Sequence, residues 1–140
     1  MAGLDIFIEK FPQSYRIDGE KFYAGRSINA DEWEGLFENV LHAPVELERL
    51  EGETHEEYFF RMEKVFREDV TNKGYEMLSH IWAMFSDAFF APSEVSKLLE
   101  ECLELQRTTE NQNALSALEK LIYVCHEALK VKGGIFLACD

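Results

Sequence analysis

Two carboxylate–imidazole pairs, Glu38 with His42 and Glu76 with His80, stand four residues apart in this 140-residue chain. On a helix that spacing puts both groups on one face, the minimum set for a proton transfer or a two-ligand metal site. The spacing alone carries little. A metalloprotease helix needs two histidines around a glutamate, and a di-iron bundle needs Glu-x-x-His. Neither pattern occurs, and 27 acidic residues produce such pairs by composition. Cys125 and His126 suggest a thiol with its base, but neighbours on a helix point about 100° apart. Cys125 falls on an apolar stripe, where a free cysteine behaves as a small hydrophobe. "DGEK" and "GGIF" lack the glycine spacing of a phosphate loop, and no serine sits in GxSxG. The chain thus leans away from an enzyme. Neither a metal site nor a cofactor is expected, and no catalytic residue can be assigned.

Charge is the more informative property. The net charge is −13, which disfavours nucleic acid and anionic membrane as direct partners, since both are polyanions. Residues 30–57 hold ten acids against Arg49 alone, a balance of −9. Residues 1–29 balance to zero. Clustered charge of one sign steers association and enforces partner choice. Asp31, Glu34, Glu38, Glu46, Glu48, Glu51 and Glu53 are therefore the candidate partner-binding residues. Phe60 and Phe90, off the main helical stripes, are candidates for an additional apolar patch.

The elements that must position these residues follow from periodicity. "LDIFIE" alternates with a period of two and reads as a strand ended by Pro12. Tyr15 to Tyr23 reads as a hairpin about the Asp18-Gly19 step. A helix capped by Asn29 or Ser27 carries Trp33, Leu36, Phe37, Val40 and Leu41 on one stripe and stops at Pro44. "VELERLEGE" is extended or irregular. Thr54 and Glu57 have capping-box spacing and open a second helix that Gly74 closes. Residues 75–90 are apolar on most sides and read as a buried central helix. Two more helices form a hairpin across "TTENQN", and Gly133-Gly134 end the second of them.

"IFLAC" near the C-terminus has the character of a strand, and a terminal strand is held only if it pairs. The expectation is that both chain ends meet in one sheet. The fold class is then α+β and mostly helical. About five helices pack on a small sheet formed by the N- and C-terminal strands and an N-terminal hairpin, within a single domain spanning 1–140.

At 16.3 kDa, with 46% hydrophobic residues, such a chain buries roughly two-thirds of its unfolded surface without disulfides. Its three cysteines form no CxxC pair, and the N-terminus lacks a basic leader, which points to a cytoplasmic protein with reduced thiols. The functional expectation is a non-enzymatic acidic protein-binding domain, of the kind exemplified by bacterial immunity or inhibitor proteins, docking a basic protein through residues 30–57. The alternatives are a small enzyme or metal-binding domain using His42, His80 or Cys125-His126, and a structural homodimer.

Overall fold

The computed structural model describes residues 3–10 and 20–139. Strand β1 (Gly3–Lys10) pairs antiparallel with β2 (Glu20–Asn29) on one side and with β4 (Gly134–Cys139) on the other. A short strand β3 (Ala88–Phe90) adds to the far side of β4, giving the order β2-β1-β4-β3. The two chain ends do meet, as the central pair of the sheet. The Asp18-Gly19 turn, with Tyr15 and Ile17, lies outside the described residues.

The period-two pattern sorts the sheet into two faces. Leu4, Ile6, Ile28, Phe90, Ile135 and Leu137 point into the core and are buried. Phe90 is thus a core residue rather than part of a surface patch. The opposite face carries one aromatic from each strand in register: Tyr23 opposite Phe7, Phe7 opposite Phe136, and Phe136 opposite Phe89. Tyr23 and Phe89, at the two ends of this row, are exposed.

Among the described residues four helices cover the inner face and its flank, one fewer than the periodicity predicts. Helix α1 (Ala30–Glu34) opens with a capping box in which the Asn29 side chain accepts from Glu32 N–H and the Glu32 carboxylate accepts from Asn29 N–H. It runs on as a π-helical stretch, Gly35–Val40. Gly35 is required here: a Cβ would stand 2.7 Å from Asn113 Cβ and 2.9 Å from Ala114 N. The stretch ends at His42, which takes the left-handed conformation (φ 52°), while the Lys73 ammonium donates to the Leu41 and His42 carbonyls. Helix α2 (His55–Asn72) has the expected Thr54/Glu57 capping box. Helices α3 (Pro92–Thr108) and α4 (Gln112–Val131) form the hairpin. At the end of α4 the left-handed residue is Lys132, not a glycine. Gly133 serves a different need, because a Cβ there would lie 2.6 Å from the Glu9 carbonyl oxygen.

The predicted fifth helix does not form. Residues 75–90 contain one 3₁₀ turn (Leu78–His80), irregular chain, and then β3. Tertiary partners satisfy backbone groups along this path. The buried Glu101 carboxylate of α3 accepts from Met77 N–H at 3.1 Å and Leu78 N–H at 3.0 Å. The Ile81 carbonyl accepts from the Trp33 indole at 3.0 Å. Residues 88–90 complete the open edge of β4. An apolar run without clear period is buried equally well as irregular chain once each N–H and C=O has such a partner.

Candidate partner interface

Trp33 anchors an aromatic cluster. Its ring lies 5.2 Å from Phe37 and 6.1 Å from Phe66, measured between centroids. On the solvent side of this cluster a cleft of about 220 Å³ opens between the π-helical stretch, α2 and the irregular segment. Its apolar lining comes from Trp33, Val45, Met62, Trp82, Met84 and Phe85. Trp82 packs edge-on against Phe85 at 5.3 Å, and Phe85 against Phe59 at 5.2 Å. Phe85 nevertheless remains 57% exposed. Three carboxylates, Glu34, Glu38 and Glu46, complete the lining, and no lysine or arginine contributes to it.

The candidate acids divide sharply. Glu53 is engaged in structure: Arg61 grips it through Nε and Nη2 at 2.8 and 3.0 Å, and it also accepts from Leu50 N–H. The Arg61 hydrogen bonds hold its pKa down at about 2. Glu32, another acid of the same run, is almost fully buried. Burial raises its pKa, but hydrogen bonds from Asn29 N–H, Lys120 and Ser116 outweigh that and leave it lowered. By contrast, Asp31, Glu34, Glu38, Glu46, Glu48 and Glu51 form no ion pair among the described residues. All are exposed except Glu38, which is half-buried in the cleft.

The nearby cations are already committed. Arg61 holds Glu53 and the Glu48 carbonyl. Arg49 donates to His55 Nδ1 at 2.7 Å and lies over the Tyr58 ring. The −9 of the sequence is thus a local surplus. Its two internally neutralised members depend on Lys120 and Arg61, cations that lie outside the segment.

The other chemical candidates disperse. His42 is exposed at the end of the π-helical stretch, away from helical register with Glu38. Glu76 pairs with Lys97 at 2.6 Å, while His80 stacks on Phe90 and is pushed toward its neutral form by burial. Cys125 is buried and its thiol is raised to about 12, whereas His126 is exposed. A thiol that stays protonated at neutral pH is not a nucleophile. Among the described residues no three His, Cys, Asp or Glu side chains gather as metal ligands. No described helix is long and apolar enough to cross a membrane.

A wider depression of about 570 Å³ adjoins His42, Lys73, Tyr75 and Thr109. Its lysine is spent on the Leu41 and His42 carbonyls and on Asp69, which leaves it no free cation. Phe60 is 74% exposed on α2 and does not line the acid-rimmed cleft.

Sequence reasoning found the acids but missed the cleft. Met62, Trp82 and Phe85 read as stripe residues and Met84 as filling another face of a buried helix, and only the irregular path of 75–90 brings Trp82, Met84 and Phe85 beside Met62 and Glu34, Glu38 and Glu46. The chain matches no family model, no curated protein and no solved structure.

Proposed function

We propose that the protein is a non-enzymatic docking domain for a basic protein, the role filled by immunity and inhibitor proteins, with residues 31–51 as its contact surface. The observation that carries this reading is the set of six acids, Asp31, Glu34, Glu38, Glu46, Glu48 and Glu51, which form no ion pair among the described residues. Like charges held together without counter-ions cost some stability and repel wrong partners. A complementary basic surface relieves that repulsion and gains rate from steering, an advantage that fades with salt.

The test uses poly-L-lysine as a generic basic probe. Glu46→Lys, Glu48→Lys and Glu51→Lys are combined in one variant. The control reverses Glu100, Glu104 and Glu119, three exposed acids of α3 and α4, and so has the same net charge. Association with the probe should slow with the first variant far more than with the control, and its salt dependence should flatten. Equal effects in the two variants would show that net charge alone attracts the probe and would remove the docking surface.

A further inference from the structure

We infer that the cleft between the π-helical stretch and residues 82–85 is an anchor site, taking a large apolar side chain from a partner segment in which lysines or arginines flank that residue. The inference rests on the docking reading above and specifies the partner's chemistry. Three observations carry it.

The first is size. Binding sites for drug-sized ligands run to about 300–1,000 Å³, and this cleft is about 220 Å³, which suits one or two side chains rather than a free metabolite. The second is composition. Met62 and Met84 sit among Trp33, Trp82 and Phe85. Thioethers and aromatic rings adapt to apolar side chains of varied shape, a property typical of surfaces that accept protein segments. The third is charge complementarity. The charged side chains of the lining are anionic only, and Glu34, Glu38 and Glu46 form no ion pair among the described residues. An apolar anchor alone would leave these carboxylates partly desolvated and unpaired, which costs affinity. An anchor with neighbouring cations pairs them as it buries the apolar surface. Poly-cations without an anchor satisfy the rim but leave the apolar lining wet.

The chain has only two tryptophans, and both line the cleft, so intrinsic fluorescence reports its occupancy. Two synthetic peptides serve as probes: a short amphipathic peptide of lysines and leucines, and its counterpart with glutamine in place of every leucine. The leucine peptide should bind about tenfold or more tightly than the glutamine peptide, the effect of burying one large apolar side chain, and should shift the tryptophan emission. Phe85→Ala, at an exposed position on the cleft wall, should weaken the leucine peptide several-fold and leave the glutamine peptide unchanged. Glu34→Gln, Glu38→Gln and Glu46→Gln together should weaken both.

Equal binding of the two peptides would overturn the anchor while leaving charge-based docking standing. Failure of both peptides to bind at low salt would overturn both readings. Tight leucine binding that ignores Phe85→Ala and leaves the emission unmoved would place the apolar contact elsewhere and overturn this inference alone.

Discussion

The cleft and the outer face of the sheet are both aromatic and both reach the surface, yet they differ in how their charges are used. On the sheet, Phe7 and Tyr23 pack at 5.6 Å and the Lys21 ammonium lies 4.3 Å over the Phe136 ring. Asp5 accepts from the Ser27 hydroxyl, and Asp87 accepts from Cys139 N–H. That face engages Asp5 and Asp87 in hydrogen bonds and shields part of its aromatic row with a cation. Around the cleft the carboxylates form no ion pair among the described residues, and Arg61 and Arg49 are engaged with Glu53, His55 and Tyr58. Exposed apolar surface says little by itself. The state of the charges around it separates a face whose acids are engaged within the fold from one proposed to receive another molecule.

The sharpest way to break this contrast is on the sheet. Strand β4 lies between β1 and β3, with Ile135 and Leu137 fully buried. Removing residues 135–140 strips two side chains worth roughly 1.5–3 kcal/mol each and unpairs the backbone of both neighbouring strands. Against a total of about 5–15 kcal/mol, the truncated protein should be insoluble or melt far below the full chain. Retention of the melting temperature to within a few degrees would show that this strand is not structural.

A smaller effect is expected where an acid of the same charged run belongs to the fold. Lys120→Met leaves the buried Glu32 without its counter-charge, though with its bonds from Asn29 N–H and Ser116, and should cost about 1–3 kcal/mol in chemical denaturation. The pH dependence has a defined sign. Glu53 falls from an ordinary value of 4.5 to about 2 on folding, so its contribution is present above pH 4.5 and is lost as pH falls toward 2. Glu32, also lowered, acts in the same direction. Melting temperature should drop below pH 4.5, and Glu53→Gln should make that drop shallower.

The smallest stability effect should come from the cleft. Glu34→Gln, Glu38→Gln and Glu46→Gln should each change stability by no more than about 0.5 kcal/mol, neutral or slightly favourable because like charges are removed. A loss of several kcal/mol would mean that these carboxylates support the fold and are not free.

The contrast also explains what the sequence made legible. The pairing of the chain ends followed from β-branched residues with a period of two. The capping box at Thr54 followed from residue types at a fixed offset, whereas at the first helix those types left Asn29 and Ser27 both open as caps. These signals are local. The path of residues 75–90 is not, because it depends on Glu101 reaching Met77 and Leu78 and on Trp33 reaching Ile81. The same holds for the acids. Nothing near Glu32 in sequence reveals that Lys120 will neutralise it, and nothing near Glu38 reveals that no cation will. The cleft became visible only when an apolar run that looked like a buried helix proved to be an irregular wall.

The central claim, that the cleft and not the sheet receives a cationic partner, is tested most directly by mapping. Amide and indole signals of isotope-labelled protein are followed by NMR during titration with the leucine–lysine peptide. The expected result is movement of the Trp82 indole and of the amides of residues 34–46 and 82–85, with those of Phe7, Tyr23 and Phe136 unmoved. Movement confined to the sheet residues, with the cleft silent, would contradict the account.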